Sequence, residues 1–242
     1  MKKIAKNFLF FFLNLIRRRR STGGTILMYH SVGDNGLFFT TGFNDFKRQL
    51  SYLNEKKINV ISLFQLFEYL ENKKEIPKKT IVLTFDDGYE DNYTNVFPIL
   101  KKYNFPAAIF LTVGIVGAEK DKHGLKMLDW EQIKKMNDSG LIDFEPHTVS
   151  HQKLSKIDLV DAEKEILESK KIIEEKLNKK CAFFAYPFGN YNEKIIGIAK
   201  NNFKLGLTVK GGRADLSSDL CEIKRNSIDS ATTFNQFKYI IK

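Results

Sequence analysis

From residue 25 onward, short continuous apolar runs alternate with segments whose apolar residues recur every three or four positions. The first pattern is that of a strand buried on both faces, the second that of an amphipathic helix. Thr25 to Tyr29 reads as a buried strand, and Phe43, Phe46, Leu50 and Leu53 as one face of a helix. Val60-Ile61 is a short strand, Leu63, Leu66, Phe67 and Leu70 mark a second helix, and the polar stretch Glu71 to Lys79 is a loop between elements. Thr80 to Phe85 is a strand ending in a turn at Asp86-Asp87-Gly88. A helix at about Tyr93 to Tyr103 and a strand over Ala107 to Thr112 follow.

The second half keeps this rhythm. Asp129 is placed to cap a helix from Trp130 to Asn137, which Gly140 stops. Leu141 to Phe144 is a strand, and Ala162, Ile166, Ile173 and Leu177 lie along one face of a long helix. Strands at Cys181 to Tyr186 and Lys204 to Val209 flank a helix around Glu193 to Asn201. The chain continues with a short strand near Ile223 and a helix from Phe234. Such alternation predicts an α/β domain with a mainly parallel sheet, open or closed into a barrel. In both forms functional residues gather at the carboxyl ends of the strands. His30, Asp86-Asp87, His147 and Pro187-Phe188-Gly189 all fall there.

With 242 residues, 43% of them hydrophobic, the chain can bury one sizeable core, and neither a repeat nor a Pro- or Gly-rich linker divides it. The net charge of +10 suggests nucleic acid only until it is mapped. Residues 1–20 carry Lys2, Lys3, Lys6 and Arg17 to Arg20 with no acidic residue, which leaves +3 for the other 222. With no finger, RRM-like or basic-zipper pattern either, nucleic acid is not an expected partner. The apolar run Phe8 to Ile16 is too short to span a bilayer, which needs about 20 residues. A secretory signal is opposed by the missing small-x-small site and by four arginines directly after the run. The segment 1–22 is therefore expected to be a basic-flanked helix lying on an anionic membrane surface, with a plain tail or an uncleaved signal as alternatives. Its positive flanks favour the inner (cytoplasmic) face, the cell-envelope face staying open, and the globular domain takes 23–242. Cys181 and Cys221 stand in no metal-ligand spacing, and Cys181 reads as a buried small hydrophobe.

Two motifs carry chemistry. Thr84-Phe85-Asp86-Asp87-Gly88 sets adjacent carboxylates at a strand end, where one can bind a metal while its neighbour faces a water; alone, an Asp-Gly turn explains it equally well. His147 and His151 lie four apart, a spacing that on a helical turn brings both rings to one face for a transition metal; two surface histidines are the bland alternative. Two imidazoles and a carboxylate with open positions make a plausible catalytic set for Zn²⁺ or another divalent ion. Tyr89, Tyr93, Trp130 and Tyr191 are candidates for a sugar groove and equally for core, and His123, in a polar loop, reads as solvated.

Together and in this order, Thr-Phe-Asp-Asp-Gly, His-Thr-Val-Ser-His and Tyr186-Pro187-Phe188-Gly189 resemble the signatures of the polysaccharide deacetylase family (the NodB-homology domain, carbohydrate esterase family four). Leu128-Asp129-Trp130 is similar to the segment with that family's site-lining Trp, and the resemblance runs from about Thr25 to the C-terminus. It implies a distorted (β/α) barrel with fewer than eight strands, Asp86 as general base, and Asp87, His147 and His151 as ligands of Zn²⁺ or of Co²⁺, Ni²⁺, Mn²⁺ or Fe²⁺. It also implies an oxyanion donor in the backbone near Phe188, which follows Pro187. Two departures stand out. Ala185 occupies the place of the Arg that orients the base, for which Arg225 is the candidate substitute. No histidine follows His151, so the C-terminal Leu-x-His acid is missing. Leu27-Met28-Tyr29-His30 resembles the Met-Tyr-His stretch of the poly-N-acetylglucosamine deacetylase branch, which implies His30 as the acid; an ordinary strand-end histidine is the alternative. The expected partner is an N-acetylated glycan. A lipid-linked amino sugar, deacetylated or deformylated, and a non-catalytic glycan-binding module are the rival readings.

Overall fold

A computed structural model describes residues 2–16 and 23–242, so the arginine cluster at 17–20 lies outside the described residues. Eight strands follow the predicted rhythm: β1 Thr25–Tyr29, β2 Asn59–Val60, β3 Thr80–Asp87, β4 Ala107–Leu111, β5 Ile142–Pro146, β6 Phe183–Ala185, β7 Leu205–Leu207 and β8 Asn226–Ser227. The α-helices are α1 Lys2–Ile16, α2 Phe43–Glu55, α3 Leu63–Glu71, α4 Phe97–Tyr103, α5 Trp130–Asp138, α6 Leu159–Leu177, α7 Glu193–Asn202 and α8 Phe234–Ile240. A π-helical turn over Asn92–Val96 leads into α4, and a capping box between Asp129 and Gln132 starts α5.

The fold is α/β with parallel strands in the order β5-β4-β3-β1-β8, β2 also pairing with β3, and a separate parallel pair β6-β7. Period-two alternation sorts each strand between two cores. Leu27, Leu83, Phe85, Ile109 and Phe144 face outward against α2, α4, α5 and α8. Ile26, Val82, Phe110, Phe183, Leu205 and Leu207 face inward. α3 joins this inner cluster at the amino ends of the strands, where Leu66 closely approaches Gly24.

The two sheets do not close into one ladder; a side chain spans one gap and isolated backbone contacts the other. Between β5 and β6, the buried Glu145 carboxylate accepts the N–H groups of Ala182 (3.0 Å) and Phe183 (2.9 Å), which have no β5 backbone partner, and meets the Lys179 ammonium at 3.3 Å. Between β7 and β8, a bridge joins Leu207 to Ile223, and Arg225 N–H donates to Lys210 O (3.0 Å). The strand expected near Ile223 is thus a single bridge, and the paired strand begins three residues later. Glu145→Leu would leave the amides of Ala182 and Phe183 without their acceptor, while the Lys179 ammonium keeps Asp143 and the Phe144 carbonyl, and is expected to destabilise the fold by about 2–5 kcal/mol. Urea unfolding measures this directly.

Candidate active site

Along β3, alternation turns Val82, Thr84 and Asp86 inward and Ile81, Leu83 and Phe85 outward. The strand runs through both aspartates, two residues beyond its expected end at Phe85, with Asp86 opposite Phe110 and Asp87 opposite Leu111. Simple alternation would send Asp87 outward. Instead its φ of 74°, followed by 86° at Gly88, bends the strand end and brings the carboxylate back over the inner cavity. His147 and His151 also reach the cavity without the helical turn that their spacing suggests. The segment is irregular, with φ of 70° at Thr148 and 55° at His151, and Thr148 Oγ1 accepts the N–H of His151 at 3.0 Å. Among the described residues nine non-glycines have positive φ, and four of them (Asp87, Thr148, His151 and Phe188) belong to this one site. Each costs on the order of 1 kcal/mol, and such strain persists where the surrounding structure enforces it.

Asp86 and Arg225 form a bidentate pair at the base of the cavity. Arg225 Nη1 donates to Oδ1 and Nη2 to Oδ2, both at 2.7 Å, while Nε donates to Thr208 O at 2.9 Å and fixes the guanidinium plane. Both side chains are almost wholly buried. Burial opposes ionisation of Asp86, but Arg225 and then His147 outweigh it and hold the carboxyl well below the usual range. The guanidinium that the missing Arg before Pro187 would have supplied thus comes from the segment leading into β8.

Asp87, His147 and His151 offer three donor atoms within 4.8 Å of one another. His147 Nδ1–H donates to Ala185 O at 2.7 Å, which leaves Nε2 bearing the lone pair. Burial lowers the pKa of His147, and burial with His147 alongside pushes His151 down to about 4, so both rings are neutral at pH 7. His151 Nε2 lies 3.2 Å and His147 Nε2 3.7 Å from Asp87 Oδ1, an oxygen that is buried and accepts no hydrogen bond. The Nε2 lone pair of His147 facing this carboxylate oxygen is repelled by it unless a cation stands between them. The donor set fits a divalent metal.

These groups line one cavity of about 380 Å³, together with His30 and Phe188. Phe188 has φ of 59° and meets His151 edge-on at 4.4 Å between ring centroids; the Lys122 and Lys153 ammoniums lie over its ring at 5.6 and 5.5 Å. Pro187 is buried at the start of the same turn. Trp130 is not a lining residue. It packs on the outer core with Lys176 over its ring at 5.7 Å, because α5 presents it to α6 and not to the inner face. Of the other candidate aromatics only Tyr89 lines the cavity. His123, which reads as solvated, is exposed yet stands on the rim against Phe39, ring centroids 5.1 Å apart, beside Asp121 and Lys122. This wall was missed because it comes from an aperiodic loop; its signal is the run of polar residues and glycines between β4 and α5.

The sequence profile of the polysaccharide deacetylase family matches residues 73–208, more than half of the chain. The poly-beta-1,6-N-acetyl-D-glucosamine N-deacetylase of Staphylococcus aureus is 30% identical over 213 residues, covering 84% of this chain and 71% of that protein. The chain belongs to the polysaccharide deacetylase family. Two solved structures agree in fold. The deacetylase PplD of Streptococcus pyogenes, solved with acetate, superposes with a TM-score of 0.81 at 28% identity over 93% of this chain and all of that one. IcaB of Ammonifex degensii gives 0.80 at 25% identity over 92% of this chain and 97% of that one. As a polysaccharide deacetylase, the protein is a hydrolase of amide bonds, and its cavity is lined by the residues that family resemblance singled out, apart from Trp130 and the buried Pro187 and Arg225.

Proposed function

We propose that this polysaccharide deacetylase removes the acetyl group from N-acetylglucosamine-type residues of a glycan, with Asp86 as base, His30 as acid and a divalent ion, most simply Zn²⁺, held by Asp87, His147 and His151. One observation carries the reading: a carboxylate kept ionised by Arg225 stands in the same cavity as a three-donor set whose lone pairs need a cation. The bound ion would contribute Lewis acidity toward the acetyl carbonyl.

The chain's own residues supply the rest. Asp86 accepts a proton from the water that attacks the acetyl carbon, and Arg225 keeps the carboxylate oriented and charged for that step. The backbone at Phe188, turned into the left-handed region at the cavity wall, is the candidate donor to the oxyanion. His30 reaches the cavity from the end of β1, its carbonyl anchored by Asn92 Nδ2 at 2.9 Å. As imidazolium it gives its proton to the amine nitrogen as the C–N bond breaks, leaving acetate and the free amino sugar. The S. aureus relative, named for a poly-β-1,6-linked N-acetylglucosamine substrate, supports a polymer of that class.

His30→Ala is expected to lower kcat by about 10²- to 10⁴-fold with metal content unchanged. If this variant is kinetically silent, the acid assignment is wrong. The activity itself is tested by acetate release from a panel of N-acetylated oligomers, polymers and lipid-linked amino sugars, run beside metal analysis. No acetate from any of them would reject the reading.

A further inference from the structure

α1 is amphipathic the wrong way round for a helix packed on a globular body. Its polar stripe faces inward: Lys3 Nζ donates to Ser230 O (2.9 Å), Lys6 Nζ to Ala231 O (3.1 Å) and Asn14 Nδ2 to Asn235 O (2.8 Å), while Asn7 O accepts from Asn235 Nδ2 (3.2 Å). Phe10 lies on the same stripe, edge-on to Tyr239 of α8. The opposite stripe carries Ile4, Phe8, Leu9, Phe11 and Phe12, each 46–65% exposed. A surface helix ordinarily turns its apolar stripe inward and its polar stripe to water. Here hydrogen bonds hold the polar stripe on α8 and leave a row of phenylalanines outside.

What covers that row is indicated by charge. Residues 1–20 hold seven basic residues and no acidic one. Where α1 ends, Asn14 borders a cavity of about 350 Å³ lined by Lys56, Lys79, Lys238 and Lys242, with no Asp or Glu side chain among the described lining residues. Burial, Arg48 and Lys242 lower the pKa of Lys238, so an anion seated there relieves repulsion. A second copy meeting this one stripe to stripe would bring two such cationic segments together. No described helix is long and apolar enough to cross a membrane.

We propose that α1 docks the protein on an anionic lipid leaflet, its apolar stripe among the acyl chains and the lysine-lined cavity against lipid phosphates. A short relay of contacts anchors the amino-terminal end of the helix. Lys3 bonds Ser230, Ser230 N–H donates to Phe38 O at 3.1 Å, and Phe38 stands on the rim of the deacetylase cavity. The amino-terminal end of α1 therefore lies beside the mouth of the site, while the lysine-lined cavity at its other end lies near the starts of β2 and β3. This inference is independent of the deacetylation reading.

The test is sedimentation of the full chain with vesicles of phosphatidylcholine, with and without phosphatidylglycerol. The protein is expected to partition at least about tenfold more strongly to the anionic vesicles and to be released by high salt. Phe8→Glu/Phe12→Glu should abolish that partition while acetate release from a soluble oligomer is unchanged, which also reports that the variant folds. Lys56→Glu/Lys238→Glu leaves α1 intact and should weaken only the preference for anionic lipid. Equal partition to both vesicle types, undiminished binding by the Phe8/Phe12 variant, or a vesicle-free dimer that the same variant dissolves would each overturn the proposal.

Discussion

Asp86→Asn is expected to lower kcat by about 10²- to 10⁴-fold while the protein keeps its full complement of metal. The amide is nearly isosteric with the carboxylate, so the cavity keeps its shape, but it cannot take a proton from water. It also removes the counter-charge of Arg225, whose guanidinium is wholly buried. A stability loss of about 3 kcal/mol should therefore accompany the kinetic one. Urea midpoints and kcat measured well below the transition separate the two. A folded, metal-loaded Asp86→Asn enzyme retaining more than a tenth of wild-type kcat would show that another group is the base.

His147→Ala should fail in the opposite way. The imidazole supplies one of three candidate ligand atoms and is itself held by Ala185 O, so its loss removes a ligand atom and leaves that carbonyl without its donor. Loss of an outer partner alone typically weakens a metal site by about 10- to 100-fold, and loss of a ligand should exceed that. After dialysis, His147→Ala is expected to hold little ion by elemental analysis, and activity should return only partly at high Zn²⁺. If the variant carried one ion per chain through gel filtration, the ligand set would be wrong. The pair of variants is informative together, because one loses turnover with metal present and the other loses turnover with the metal.

Much of this was legible in the residues. Periodicity located β1, β3, β4 and the helices α3, α5 and α7 to within a residue or two, because each buries a run or a stripe against a neighbour, whereas α4 begins four residues late, behind a π-helical turn. The four residues Asp86, Asp87, His147 and His151 were legible by motif. Their geometry was not. A four-residue spacing suggests a helical turn for the histidines, whereas left-handed Thr148 and His151 do the work, and nothing in Thr or His announces a positive φ. Arg225 lies 139 residues from its partner, so only the lack of an Arg before Pro187 pointed to it. Trp130 was misplaced because a helix start can aim one side chain at either neighbour, and α6 takes it. The seam between β5 and β6 was invisible, since it depends on a single glutamate reaching two amides on another sheet.

That seam has a further consequence. Glu145 and His147 are two residues apart at the end of β5, and both hold β6, one by accepting the amides of Ala182 and Phe183, the other by donating to the carbonyl of Ala185. A side-chain zipper of two teeth thus stands where a backbone ladder would run, and its second tooth is a candidate metal ligand. Partial opening there, with the rest of the domain still folded, would unhook the imidazole and free its tautomer. If His147 holds the metal as proposed, catalytic competence would follow the local free energy of this join more than the global stability of the core.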